Sequence, residues 1–544
     1  MHTPARVLSL IAHSPTLRRA RPPAPGLPSP LLVSEASPSR SRTATACSQA
    51  PEVGSVMTLC WTADSTQLAA GCGSGAVLFG QLVHREVSCA HLEVRQEEPH
   101  SLTVLNVTDD TREDLQFKDR VTEMSLSATH LVVITSTQAC IYSTTNWSTP
   151  HIIELRGTVS LILQCARHFL MVDTMNGLQV LNYDGRVVSQ PKFTAMRPDA
   201  LSPLNVAYAP DLLAIIGHAD PKVVMLIDPL TGKQLGTVQH SIDVEQVALS
   251  QRGDLSKRRL VVVDKNRDLY LTPVQGAQEL YKLHIMVDSV AWNTETDALA
   301  AVSDGQMLVW FYPEVVYMDR ELLPLTLSKQ LGDWGKTAEI VEFRDTRTQV
   351  RRSDGSIVCA VVSPYPSILE RFCSALEWEP ALRLCRYVKS TELWACLAAM
   401  AIAGKELHTA EVAYAAIEQV DKLLYMCHIK ELPTIEAREA ELLLFRRRLP
   451  EAVNVLVQGG WIYRAIKMYV RLFQWEKAYE LARQHQQHLD TVLLLRQRFL
   501  QQQRIEETLP KLATAAQQLG ALNEETIQAK IQAEEAREAE RGGQ

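Results

Sequence analysis

Nowhere in the 544 residues do two cysteines stand in a Cys-x-x-Cys pair; the eleven that are present are odd in number and scattered from Cys47 to Cys427. Such scatter suits a reducing compartment and provides ligand spacing for neither a disulfide framework nor a structural zinc site. Long apolar runs are missing too. The strongest stretch, Leu393 to Ala403, is broken by Cys396 and closed by Gly404 and Lys405, short of the roughly 20 apolar residues that a membrane-spanning helix needs. The chain therefore reads as soluble, without direct membrane insertion. Excess positive charge is absent as well: 55 Lys and Arg against 62 Asp and Glu leave a net charge of −7. A phosphate backbone would meet no broad cationic field, so nucleic acid is not an expected partner. Finally, no Gly-x-Ser-x-Gly, His-Glu-x-x-His or Walker sequence occurs, and these are the local arrangements by which nucleophiles, zinc and phosphates are held. No catalytic, cofactor-binding or metal-ligating residue is nominated, and the chain is expected not to be an enzyme.

Several near-motifs have plainer readings. Gly71-Cys72-Gly73-Ser74-Gly75 follows a strand, but Val77-Leu78-Phe79 is another strand where a phosphate loop needs a helix, so a hairpin turn is expected. His485 and His488 are one turn apart with no third ligand nearby, which suggests a wet helix face. Asp109, Asp110, Glu113 and Asp114 lack the Gly and the terminal Glu of a calcium loop and read as a solvated loop. Asn106-Val107-Thr108 and Asn146-Trp147-Ser148 are read as chance matches to the glycosylation pattern. Arg446-Arg447-Arg448 closes a helix, where cations complement the helix dipole.

What is present is organised. Residues 1–54 are rich in Pro, Ser, Ala and Arg and are expected to be a disordered leader, unable to bury enough apolar surface to offset ordering entropy. Its arginines resemble those of a transit peptide, yet nine prolines disfavour the amphipathic helix such peptides require. From Ser55 to Ser363 short β-branched runs such as Leu131-Val132-Val133-Ile134 and Leu260-Val261-Val262-Val263 alternate with Asn176-Gly177, Asp184-Gly185, Asp304-Gly305 and Asp354-Gly355, dipeptides that tolerate the positive φ of a tight hairpin. Two stretches look like copies of one unit: Met57 to Trp61, Leu68 to Ala70, Val77 to Phe79, and Asp288 to Trp292, Leu299 to Ala301, Leu308 to Trp310. Trp61 and Trp292 are separated by five to six steps of the roughly 40 to 45 residues in a WD-type blade. A β-propeller of four-stranded blades is therefore expected, although the paired Gly-His and Trp-Asp signature of such blades is absent.

Beyond Pro364 and Pro366 the apolar spacing changes to three and four residues, the period of helices. Trp378-Glu379-Pro380-Ala381-Leu382-Arg383-Leu384-Cys385-Arg386 and Trp475-Glu476-Lys477-Ala478-Tyr479-Glu480-Leu481-Ala482-Arg483 share the frame Trp-Glu-x-Ala-x-x-Leu-x-Arg. Positions i, i+4 and i+7 make one face and the alanines admit a neighbouring helix, so eight to ten short antiparallel helices are expected to stack as a solenoid. Gly404 and Gly459-Gly460 mark helix ends. The domains expected are a leader at 1–54, a lone WD-like blade at 55–95, a propeller at 96–363, a TPR-like helical repeat at 364–503 and a charged, solvated or disordered tail at 504–544.

Phe117-Lys118-Asp119-Arg120-Val121, Gly157-Thr158-Val159-Ser160-Leu161-Ile162-Leu163-Gln164, Asp264-Lys265-Asn266-Arg267-Asp268-Leu269, Leu393-Trp394-Ala395-Cys396-Leu397-Ala398-Ala399-Met400-Ala401 and Ile429-Lys430-Glu431-Leu432-Pro433 resemble the intraflagellar transport protein 80 family. The resemblance runs from about Met57 to about Leu500. It implies two tandem seven-bladed propellers and a helical region, of which this chain would carry the last blade of the first propeller, all of the second and the helices, as in a variant transcript or truncated gene model. It also implies a subunit of intraflagellar transport complex B that supports anterograde transport and cilium assembly. The implied partners are other complex B subunits and, through self-association, a second copy; the implied locations are the cilium, its basal body and the cytoplasm. The residues alone support a protein-binding scaffold, and a propeller–solenoid vesicle-coat or tethering protein is the rival reading.

Overall fold

A computed structural model of the chain describes residues 9–11 and 55–542, apart from 62–66, 76, 82–85, 194–196, 277–278, 331, 333, 336–337, 353–355, 508 and 520–522. The expected leader lies outside the described residues except for Ser9–Ile11. That segment is not a loose piece of chain: it pairs antiparallel with Val77–Gln81 and so covers one free edge of the leading sheet. The other strands of this sheet are Val56–Trp61 and Gln67–Cys72, and Val56, Met57 and Leu59 are exposed on it. The Asp354-Gly355 hairpin position falls outside the described residues.

Seven antiparallel sheets follow in chain order, each a meander in which successive strands pair. Blade 1 spans Glu86–Gln116, blade 2 Val121–Glu154, blade 3 Val159–Ser189, blade 4 Val206–Gln239, blade 5 Val244–His284, blade 6 Val287–Gln330 and blade 7 Glu339–Val361. The first strands of neighbouring blades pack against one another at blades 1 and 2, 2 and 3, 4 and 5, 5 and 6, and 6 and 7, which makes a seven-bladed propeller with those strands innermost. The expected boundary at Gln96 is displaced. It falls within Leu92–Glu98, whose partner Glu86–Cys89 is already the inner strand of blade 1, because Val87 pairs with Val94 and Cys89 with Leu92. Among the described residues blade 7 has three strands rather than four, and the seam between it and blade 1 is bridged by the Arg344 guanidinium, which donates to the Cys89 thiol.

The two copies recognised in the sequence occupy the same positions in their sheets. Trp61 pairs with Leu68 and Cys60 with Ala69; Trp292 pairs with Leu299 and Ala291 with Ala300. Six sheet-to-sheet steps separate them. The Trp-Asp dipeptide is absent; buried His240, in the turn entering blade 5, lies 3.3 Å from buried Asp264 at the end of that blade's second strand. The Gly217-His218 dipeptide is elsewhere, directly after the strand Leu212–Ile216.

Twelve helices are seen among the described residues. They are α1 (Tyr365–Ser374), α2 (Trp378–Val388), α3 (Thr391–Ala403), α4 (Leu407–Ala416), α5 (Val420–Glu431), α6 (Ile435–Phe445), α7 (Leu449–Gln458), α8 (Ile462–Arg471), α9 (Trp475–His485), α10 (Leu489–Gln503), α11 (Pro510–Leu519) and α12 (Glu524–Gly542). Pro364 and Pro366 stand at the start of α1, where a missing N–H costs nothing. The two copies of the tryptophan frame begin α2 and α9, with Ala381, Cys385, Ala478 and Ala482 all fully buried. Gly404 ends α3 without a positive φ; its role is close approach, since a Cβ there would lie 2.6 Å from the Trp378 ring.

Trp475, 6% exposed, packs with Leu493, Leu512 and Ala515, with Phe499 5.5 Å from its ring and the Arg496 guanidinium 5.3 Å above it. Trp475→Ala is expected to cost about 3–5 kcal/mol, read as a lower urea midpoint and faster hydrogen exchange from α9 through α11. An unchanged midpoint would show that the ring contributes no packing.

Candidate interaction surfaces

The residues with chemical potential do not converge. Gly71 and Cys72 end a strand of the leading sheet and Gly73 to Gly75 form the hairpin turn after it, with Gly75 at φ 84° and its N–H bonded to the Cys72 carbonyl at 3.0 Å. Asp109 accepts from Asn106 and Asp114 from Thr103 within one exposed hairpin of blade 1. Asn106 and Asn146 accept the backbone N–H groups of Thr108 and Ser148, both at 3.0 Å. His485 closes α9, whereas His488 precedes α10 with its ring 4.9 Å from Tyr463 and its Nδ1 3.3 Å from the Thr491 hydroxyl, so a turn separates them. Arg446 caps the C-terminal end of α6 and Arg448 pairs with Glu451 at 2.8 Å. Among the described residues no group of three or more His, Cys, Asp or Glu side chains is placed to hold a metal.

Surfaces dominate instead, and their rigidity comes from how the propeller holds the helices. Between the third and fourth strands of blade 6 the chain leaves the sheet as Phe311–Thr326, containing the short 3₁₀ turns Pro313–Tyr317 and Arg320–Leu322. Val315 and Leu322 of this insertion are fully buried in one apolar core with Leu269 and Trp310 of blades 5 and 6 and with Leu369, Leu382, Leu397 and Tyr414 of α1 to α4. The expected division at residue 363 is thus not a gap in packing: the insertion carries the propeller core into the helices. Asp319 adds direction. Its carboxylate accepts from the Tyr414 hydroxyl at 3.0 Å and the Lys422 ammonium at 2.5 Å, and Lys422 is 3.0 Å from Glu321.

A second contact runs along blade 5. Buried Arg258 donates to the Ser250 and Gly253 carbonyls and pairs with Asp211 at 2.6 Å, fixing the loop 250–258. That loop presents Arg252 to Glu370 of α1 at 2.8 Å, while Arg259 reaches Glu314 at 2.9 Å. Burial is the main cause that pushes the Glu370 carboxyl up to about 7, helped by the Asp297 charge and opposed by Arg252. Asp297 and Glu314 are raised by burial too. These pairs gave no sequence signal, because the partners lie far apart in the chain, 47 residues for Arg258 and Asp211 and 118 for Arg252 and Glu370.

Beyond α6 the array packs neighbour to neighbour in smaller clusters, α6 to α8, then α8 to α10, then α9 to α11. The charged tail is not a free solvated segment. Its helix α12 lies against α8 and α10, with Arg464 paired to Glu538 and Lys467 to Glu535.

The propeller matches the family model described as IFT80 second beta-propeller over residues 84–365, more than half of the chain, and residues 393–540 match the model described as IFT80/172/WDR35/WDR19 TPR domain. An intraflagellar transport protein 80 homolog of Rattus norvegicus is 42% identical over 499 residues, covering 90% of this chain and 64% of that protein. An intraflagellar transport protein 172 homolog of Mus musculus is 22% identical over 282 residues, covering 48% of this chain and 15% of that protein. A solved structure of Kluyveromyces lactis Hsv2 aligns at 12% identity with a TM-score of 0.36, covering 51% of this chain and 97% of that one. The chain spans less than two thirds of the length of the protein 80 homologues that it matches. Fold and surfaces define a propeller continued into a TPR-like helical array. Within that class the chain belongs to the intraflagellar transport protein 80 family.

One inner-strand group supplies a direct test of the propeller. Glu123, in the first strand of blade 2, has its carboxyl raised from 4.5 to about 7 by burial alone. Between those values the native state keeps a proton that the unfolded chain releases, so stability falls as pH rises across the window. Glu123→Gln is expected to flatten that slope in urea titrations and to exceed the parent at about pH 8 by ~1–3 kcal/mol. A variant less stable than the parent at that pH would contradict a carboxyl raised by its partial burial.

Proposed function

We propose that this chain is a non-enzymatic scaffold subunit of intraflagellar transport complex B, supporting anterograde transport and cilium assembly by holding other proteins together. Its partners are other complex B subunits, with a second copy of the chain as a further one, and neither nucleic acid nor the interior of a membrane is among its ligands. It works in the cilium, at the basal body and in the cytoplasm that supplies them. The observation that carries this reading is family membership across both propeller and array, in a molecule whose propeller core continues into the helices. Rigid rims and stacked helices are large surfaces that order few groups on binding, which suits assembly.

The test is to tag the full chain in ciliated cells, follow its position and analyse what co-purifies. The expected result is enrichment along the cilium and at its base, with complex B subunits recovered in stable proportion. Recovery of vesicle-coat subunits with no ciliary signal would overturn the proposal, as would turnover of nucleotide that stays with the protein through gel filtration.

A further inference from the structure

Helix α12 rests on the array more by charge than by apolar burial. Its inward positions are Ile527, Ile531, Glu534 and Glu538, which share one helical face; Ile527 is 1% exposed and the other three are half-buried. Along that face the chemistry passes from apolar to acidic. Arg464 donates to Glu538, Lys467 lies 3.0 Å from Glu535, Lys530 donates to Asp490 of α10, and Arg498 of α10 lies 3.2 Å from Glu524. Arg464–Glu538 is part-buried, while the Lys467–Glu535 and Arg498–Glu524 pairs lie at the surface, where salt screens them. One fully buried isoleucine, Ile527, is a slender apolar hold for a 19-residue helix.

The groups that receive this helix are fixed without it. Buried Glu441 of α6 accepts from the Tyr425 hydroxyl at 2.7 Å and from Arg471 at 3.1 Å, and lies 3.7 Å from Arg464 Nη2. Arg464 therefore keeps one nitrogen beside a buried carboxylate and presents the other outward. Lys467, three residues on, stands on the same face of α8. The result is a short basic stripe positioned from within the fold.

We propose that the Arg464–Lys467 face of α8 is a docking site for an acidic amphipathic helix of another protein, and that α12 occupies it as an exchangeable strap. The seated helix shows the chemistry such a partner would carry: two apolar residues four apart, then acidic residues four and seven positions further on, as Glu535 and Glu538 are from Ile531. The inference rests on the scaffold reading for the existence of a partner, and its test uses the purified chain alone, so its failure leaves that reading standing.

The full-length variant Glu535→Lys/Glu538→Lys reverses the strap's charges and leaves the receiving face intact. A labelled peptide with the sequence of residues 524–542 is the probe. Anisotropy should show it binding the variant at least about tenfold more tightly than the parent, a difference of about 1.4 kcal/mol, and the added change Lys467→Glu should reverse that gain. Hydrogen exchange should speed up in α12 but not in α8. Equal affinity for parent and variant, binding to neither, or unchanged exchange in α12 would show a fixed structural helix and overturn the proposal. Light scattering that finds dimers of the parent lost in the variant would make a second copy the occupant, which also overturns it.

Discussion

The apolar insertion Phe311–Thr326 is the constraint on which the geometry of this molecule depends. A propeller alone buries its sheets against one another, and a stack of short helices buries each helix against the next; neither requires the other. Here Val315 and Leu322 are withdrawn from the propeller edge and placed at 0% exposure among Trp310 on one side and Leu369, Leu397 and Tyr414 on the other. Burial is not directional, so the core alone would tolerate some sliding. The Asp319 carboxylate, held by Tyr414 and Lys422 while it caps its own 3₁₀ turn, supplies the direction that packing lacks. Removing either partner would leave a charge in poor contact with water, a far larger cost than losing an exposed pair.

That arrangement explains where rigidity ends. From α1 to α6 the helices share one core with blades 5 and 6, whereas the later helices are joined through small separate clusters. Stability in such stacks is close to a sum of neighbour terms, so the outermost helices open first. A helix held chiefly by charge at that end, as α12 is, lies where exchange costs least.

Much of this was legible in the sequence, for reasons that particular residues make clear. The spacing of Trp61 from Leu68 and of Trp292 from Leu299 survives as the same cross-strand pair in two sheets, because hairpin register fixes sequence separation. The tryptophan frames were visible because helix packing repeats at i, i+4 and i+7. The insertion was not legible: Phe311–Thr326 has neither strand alternation nor helical period, and its partners are far away in sequence. Nor were most helix turns. Leu376, Lys389, Lys405, Glu418, Arg447 and Phe473 adopt positive φ at turns between helices, and among the described residues of the array Gly460 alone does so as a glycine, so the usual marker of a left-handed cap was missing. His240 and Asp264 were not legible either, because a single pair 24 residues apart leaves no repeated signature. The start of the propeller was misplaced by ten residues because Glu86–Cys89 is only four residues long, too short for alternation to show.

The central claim is that propeller and proximal helices are one body. Native-state hydrogen exchange of the full chain, followed across a series of urea concentrations, tests it most directly. If the claim holds, amides of Gln306–Trp310 in blade 6 and of Thr391–Ala403 in α3 will lose protection with one common free energy and one urea dependence. Loss of protection in α3 at low urea, while the blade 6 strand stays closed, would show two independently folding units joined by a mere contact.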